Sequence, residues 1–332
     1  MKKLLIALFT CLSLSSFAQQ APIAIVSTTG ATKLTSSLDS AAILAQDNDI
    51  IYLPGGTFLG MSDWFKKKVT VIGVGHNIDS TNATGITTIA GDIGFQYNGA
   101  EGSVLDGVFV TGHVYIMPNC KVYRANIGYV VSQWVTVNNL FIEKCIIRNE
   151  IIGYGGTPIA NSFIKNSIIS ENDFQGGMYN NTFENDIFLF QGAYDMSAGS
   201  QNIYRNCIFP NVTSWVGGLG SSSFQNNIFA TTTVPPLTDS NNAINNILNQ
   251  SSSATFVSQS GSTFAYNQNY RLKPGSLGVN KGTDGKDIGI YGGNSPWVDG
   301  NIPPNPTIRS KTVDAQTATG GTLHVKFNVR TQ

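Results

Sequence analysis

The chain has 332 residues, with 20 Lys and Arg against 20 Asp and Glu, and only 12% of its residues are charged. So sparse and balanced a charge excludes the basic footprint of a nucleic-acid binder and an electrostatic surface for acidic membranes. The cysteines at 11, 120, 145 and 207 form no CxxC motif and no His/Cys pairing, and His76, His113 and His324 lie far apart, so no metal site is indicated.

Residues 1–18 read as a secretory signal peptide. Lys2 and Lys3 form the basic start, Leu4–Phe17 is the apolar region, and Ala18 is the small residue before a cut at Gln19. Thr10 precedes Cys11 where a lipoprotein signal needs a small residue, so no lipid anchor is expected. No later run of about 18 apolar residues exists, so no membrane span is expected. Removal of the two lysines leaves 18 basic against 20 acidic residues, a net of −2. The expected location is secreted, periplasmic or cell-surface. The remaining three cysteines are an odd number, which favours free thiols over a disulfide framework.

Residues 33–47 carry a helical apolar spacing at Leu38, Ala41, Ala42 and Ala45 behind Ser/Thr caps. A short helix here would cover the open end of whatever sheet follows. Pro54-Gly55-Gly56 is a turn. The Lys66–Lys68 run beside Trp64 reads as a solvated loop, with binding of an acidic glycan as the alternative.

From residue 141 a motif recurs: FIEKCII (141–147), FIKNSII (163–169), TFENDIF (182–188), IYRNCIF (203–209), SFQNNIF (223–229) and AINNIL (243–248). The aliphatic residues Ile127, Ile146, Ile168, Ile187, Ile208, Ile228 and Ile247 give a register with steps of 19 to 22 residues. Val108, Ile89, Ile72 and Ile51 extend it backwards. A period of about 20 residues with a short β-type segment in each is too short for helical solenoid repeats. It lacks the LxxLxLxxN pattern of leucine-rich repeats. A parallel β-helix of eleven rungs is expected, about 50 Å long at the inter-strand spacing.

Stacked coils make equivalent positions neighbours, so the sequence can be read in columns. Tyr123, Ile142, Ile164, Phe183, Tyr204 and Phe224 form an apolar column expected to face the core, as is the register column itself. Asn166, Asn185, Asn206, Asn226 and Asn245 occupy one position in five consecutive rungs. Asn tolerates the left-handed backbone of a sharp bend, and its amide is expected to bond to the Asn above and below. Arg124, Glu143, Lys165, Glu184 and Arg205 alternate in sign along an outward column, an arrangement that supports register.

An Asn ladder at the bend between two strands of a coil resembles the pectate-lyase-like right-handed parallel β-helix superfamily, over residues 33–293. The resemblance implies the fold and leaves activity open, because many functions sit on it. DNDIIYLPGGTF (47–58) resembles a first coil and NYRLKPGSLGVNKGTDGKDIGIYGG (269–293) a closing coil. The expected class is all-β: a right-handed parallel β-helix over 19–295 with an N-terminal capping helix. A Pro-rich linker and a β tail follow over 296–332, with Leu323, Val325, Phe327 and Val329 on one face of a strand.

A further column is aromatic: Trp134, Tyr154, Phe174, Tyr194 and Trp215. It follows the register strand, on the part of the coil that includes the substrate groove in the resembling family. Exposed rings there would stack on sugar; inward rings would fill the core. Glu150, Glu171, Asp173 and Asp195 lie near this column, with Arg148 as the nearby base. Paired carboxylates suit glycoside hydrolysis, and clustered ones suit calcium, which the resemblance implies only for a lyase. The acids share no column, and solvated surface acids are the simpler reading. The leading reading is an exported, non-catalytic surface or glycan-binding scaffold with a polysaccharide partner and no cofactor. The alternative is a polysaccharide lyase or glycoside hydrolase.

Overall fold

A computed structural model describes residues 22–96, 98–133, 135–170, 177–195, 199–216, 220–233, 242–304, 307–314, 321 and 323–330. It is a right-handed parallel β-solenoid of about eight turns. A twelve-stranded sheet forms one side. It opens with the antiparallel strands Thr32–Thr35 and Ile23–Val26, then stacks short parallel strands from Ile50–Tyr52 to Asn242–Ile244. An eleven-stranded sheet forms the second side, and a four-stranded sheet from Val137–Asn138 to Gly199–Ser200 forms part of the third. The helix is shorter than its sequence signal, Leu38–Leu44, because residues 32–35 pair as a strand instead. Ser37 caps it, and Leu38, Ala41 and Ala45 sit in the core.

Each strand of the first sheet is three or four residues long and flanked by bends. At the bend after it, Arg124, Lys144, Asn166, Asn185, Asn206, Asn226 and Asn245 all have positive φ, between 45° and 59°. At the bend before it, Asn119, Asn139, Asn161, Asn180, Gln201 and Ser221 do the same. The Asn residues of the first group do not bond to one another as expected. The left-handed backbone turns their side chains out of the coil, where the C-terminal segment receives them. Asn166 Nδ2 donates to the Ile290 and Gly292 carbonyls at 2.8 and 3.1 Å, and Asn185 Nδ2 to the Gly289 carbonyl at 3.1 Å. Asn206 exchanges two bonds with Thr283, and Asn226 Nδ2 donates to the Lys281 carbonyl at 2.7 Å. Asn-to-Asn stacking occurs at the opposite bend, where Asn139 donates to Asn119 at 3.1 Å and Asn180 to Asn161 at 2.6 Å.

Residues 278–304 therefore run back along the rod as a strap instead of closing a further coil. The strap explains why the register column is aliphatic. Ile146, Ile168, Ile187, Ile208 and Ile228 face outward, opposite to expectation, and pack under Ile288, Ile290 and Trp297 in a second buried cluster. Their neighbours Ile147, Ile169, Phe188, Phe209 and Phe229 face the inner core. Gly289 fits the approach: a Cβ there would meet Ile208 Cδ1 at 2.5 Å. After the strap, Thr307–Val313 and Val325–Arg330 form an antiparallel hairpin that leaves Phe327 and Val329 exposed.

Two further expectations shift at the early rungs. Ile127 is level with Ile147, not Ile146, so Val122 fills the core position assigned to Tyr123. Ile51 and Ile72 belong to the first sheet and Ile89 to the second, so they never formed one column. The apolar spacing is the same for either sheet, and sequence alone could not separate them. Of the charge column, Lys165–Glu143 (3.3 Å) and Arg205–Glu184 (2.9 Å) pair as expected. Arg124 sits at the bend and takes Asp106 instead.

Inside the coil, polar side chains stack against backbone amides. Ser162 N donates to Asn181 Oδ1, and Asn181 N to Asn202 Oδ1, each at 2.9 Å. In a second line Ser167 N donates to Asp186 Oδ1 at 2.7 Å and Cys207 N to Asn227 Oδ1 at 2.8 Å. Cys120, Cys145 and Cys207 are free and buried. Asp186 is fully buried, and among the described residues its Oδ2 has no partner.

Two outcomes test this account. Asn206→Gly keeps the left-handed bend and removes only the amide. It should cost about 1–3 kcal/mol and weaken hydrogen-exchange protection at Thr283 more than at Phe183; equal protection at Thr283 would disprove the strap's attachment there. For Asp186, burial pushes the carboxyl well above its ordinary value of 3.8. The folded state keeps the proton while the unfolded state ionises, so stability falls as pH rises from about 3.8. Asp186→Asn should add about 1–3 kcal/mol at neutral pH, its amide donating to the strand below as Asn227 Nδ2 donates to the Tyr204 carbonyl. That gain should shrink toward pH 4, as melting temperatures across pH would show.

Candidate functional site

The second sheet lengthens at the N-terminal half, in Phe109–Tyr115 and Asn126–Ser132. Strand alternation sends Val110 and Val114 to the core and leaves His113 and Tyr115 half-exposed. Trp64 lies over the strand Ile93–Gly94, where a Cβ on Gly94 would come within 2.5 Å of its ring. With no side chain there, Trp64 stacks on Tyr115 with centroids 4.3 Å apart and planes 23° from parallel. The stack continues from Tyr115 to His113 at 5.6 Å and from His113 to Tyr129 at 4.7 Å. Four rings thus form one half-exposed strip across neighbouring coils.

A cleft of about 650 Å³ opens over the Trp64–Tyr115 end of this strip, walled by Ser62, Asp63, Gln96, Asn98 and Gln133. Its walls are polar and its floor aromatic. The capping helix fixes one wall: Asp39 accepts from Ser62 N at 2.8 Å, Ser62 Oγ at 2.6 Å and Asp63 N at 3.1 Å. The Ser62 hydroxyl bond is the largest influence lowering the Asp39 pKa. Asp63 pairs with Lys66 at 3.0 Å, which brings the first residue of the Lys66–Lys68 run next to this wall. Asp92 Oδ1 accepts from both His113 N (2.8 Å) and His113 Nδ1 (3.0 Å), which fixes the imidazole in the strip. In the neutral ring, with Nδ1 as donor, Nε2 is the acceptor. Burial raises the Tyr115 pKa, and the nearby Asp92 and Tyr154 raise it further, so its hydroxyl stays neutral.

The aromatic column expected from sequence divides. Trp134 and Phe174 lie outside the described residues, as do Glu171 and Asp173. Tyr154 is exposed, at 54%. The backbone of Gly192–Asp195 pairs with Val212–Val216, placing Tyr194 level with Trp215; Asp195 closes that strand. Trp215 is turned inward, edge-on to Phe229 at 5.1 Å, with its indole N–H on the Thr233 carbonyl at 3.1 Å. It packs, partly buried, against the core near the end of the rod. Glu150 is half-exposed, and its backbone carbonyl accepts from Val130 N. Arg148 is a cross-rung staple. It donates to Asn126 Oδ1 and to the Val110 carbonyl at 2.7 Å, over the Phe109 ring at 4.5 Å. Among the described residues no three His, Cys, Asp or Glu side chains gather where a metal could be held.

Tyr115, Tyr129 and His113 were not singled out as site residues from the sequence. The signal was the alternation in FVTGHVY, which marks outward positions but not what stacks on them.

No protein-family model, no curated protein and no solved structure matches this chain.

Gly94→Ala should push Trp64 off Tyr115. The expected result is a changed aromatic circular dichroism signal and a loss of about 0.5–1.5 kcal/mol, the worth of one aromatic pair. An unaltered aromatic spectrum would show that the ring does not rest on Gly94.

Proposed function

We propose that this protein is an exported glycan-binding scaffold of the pectate-lyase-like β-helix type, and that the strip Trp64–Tyr115–His113–Tyr129 is its binding face. The observation that carries the reading is the outward stack of four rings, of which Trp64 and Tyr115 floor a polar-walled cleft. A pyranose has an apolar C–H face that covers an aromatic ring and an equatorial rim of hydroxyls that need donors and acceptors. Ring floors and amide or carboxylate walls supply both. A solenoid presents such a surface over several rungs, which suits a linear polysaccharide. Tyr154, from the column expected by sequence, extends the aromatic surface toward Tyr115.

One observation favours the alternative of a polysaccharide lyase or glycoside hydrolase. The Asp92–His113 pair orients an imidazole on the strip, beside Tyr115, as a general base would be oriented. Both readings place the sugar on the same rings.

A polysaccharide panel applied to the mature protein tests them together. Binding of at least one neutral or acidic polymer is expected. Trp64→Ala should weaken it about tenfold, equivalent to about 1.4 kcal/mol, with the rod still folded. Undiminished binding by Trp64→Ala would refute the strip as the binding face. Release of new reducing ends or unsaturated products, lost in His113→Ala, would establish the catalytic reading over the scaffold.

A further inference from the structure

A second cavity, of about 260 Å³, lies between the strap and the outer face of the second sheet. Its floor is Ile168, and Tyr270, Tyr291 and Trp297 line its sides. One end is a closed polar wall. Asn126 Nδ2 donates to Tyr266 Oη (2.9 Å), which bonds His76 Nδ1 (2.8 Å) and donates to the His76 carbonyl (2.9 Å). His76 Nδ1 is thus the protonated nitrogen and Nε2 the acceptor, meeting Asn301 Nδ2 at 3.2 Å. The second Asn301 N–H goes to the Lys144 carbonyl at 2.5 Å. Both Asn301 donors are used, and among the described residues its Oδ1 is buried without a partner in a side chain only 2% exposed. Reversing the amide would face oxygen toward the Lys144 carbonyl, so the orphan acceptor is not removed by that choice. A buried acceptor left unpaired is costly, and here it belongs to the closed end of the cavity.

The other end is the mouth. Arg271 lies over the Tyr291 ring at 4.0 Å and donates to Asp299 Oδ2 at 2.7 Å, while the Tyr291 hydroxyl donates to Asp299 Oδ1 at 2.7 Å. Guanidinium and carboxylate stand side by side and cancel in charge. Burial holds His76 neutral, its pKa pushed down to about 3. The cavity therefore offers no uncompensated charge. Its volume is below the roughly 300–1,000 Å³ of drug-sized ligand sites and far above the ~30 Å³ share of one water.

We propose that this strap cavity binds a single neutral pyranose ring, free or at the end of a chain. Its C–H face would lie on Tyr291 and Trp297, and a vicinal diol would meet the Arg271–Asp299 pair. A vicinal diol suits that pair because each hydroxyl both donates and accepts, and neither partner's charge is left over. The site shares no residue with the Trp64 cleft and does not rest on the function proposed for it.

Ligand-observed NMR titration of the mature protein with glucose, galactose and mannose tests the proposal, with glucuronic acid and glucosamine as charged controls. A neutral trisaccharide in a further arm separates a chain end from a free sugar. At least one neutral hexose or the trisaccharide should bind with a Kd of about 10 mM or tighter, and the charged sugars more weakly. Ile168→Phe fills the cavity floor without removing a hydrogen bond, and should weaken binding about tenfold. Arg271→Ala, at the exposed mouth, should do the same if Ile168→Phe does not fold. Trp64→Ala should leave this binding unchanged. Absence of binding by every neutral sugar, or equal binding by Arg271→Ala and wild type, would overturn the proposal. So would loss of the same binding in Trp64→Ala, which would place the sugar in the cleft.

Discussion

The structure depends on one backbone constraint: each middle coil must turn sharply on both sides of a three-residue strand. A left-handed residue makes each turn, and for an L-residue that conformation costs about 1–2 kcal/mol unless the side chain is Asn-like or absent. Asn at 166, 185, 206, 226 and 245 meets this requirement. The same geometry turns the amide outward, so a residue chosen for its backbone also presents a donor and an acceptor beyond the coil. The strap uses them as a rail. Local conformation at the bend and long-range attachment of the C-terminal segment are thus carried by the same side chains.

The rail has an apolar counterpart. Five outward isoleucines on successive rungs would leave an exposed stripe on a bare solenoid, a liability at any sheet surface. The strap converts it into a second core. Full burial of one such side chain contributes about 1.5–3 kcal/mol, so the stripe holds the strap more strongly than any one amide bond. The amides set its register and the isoleucines supply the adhesion. Arg148 and the Asn126–Tyr266–His76–Asn301 network continue the attachment toward the N-terminal rungs. Residues more than 200 positions apart, such as His76 and Asn301, become neighbours this way.

Rigidity of this kind bears on function. The aromatic strip rests on strands whose inner faces are fully packed, and Gly94 lets Trp64 lie directly on the backbone. The capping helix steadies one cleft wall through Asp39. The strap cavity is held between the two cores by the same network that closes its wall. Both candidate sites are therefore preorganised by packing, which keeps the ordering cost of binding low.

The sequence by itself determined the parallel β-helix, the near-20-residue period, the capping helix and the middle of the charge column. These follow from contacts between equivalent positions in adjacent coils, and periodicity states such contacts directly: Glu143 meets Lys165, and Glu184 meets Arg205. Only the tertiary structure decided which way the register isoleucines face, because a strand buried on both sides has no polar alternation to read. It also decided what the bend asparagines bond, since Thr283 and Gly289 belong to a segment outside the repeat. The inward turn of Trp215 and the outward stack at Trp64, Tyr115, His113 and Tyr129 were likewise illegible. An aromatic residue is compatible with core and surface alike, and its side is set by what the neighbouring coils leave open, as Gly94 does for Trp64.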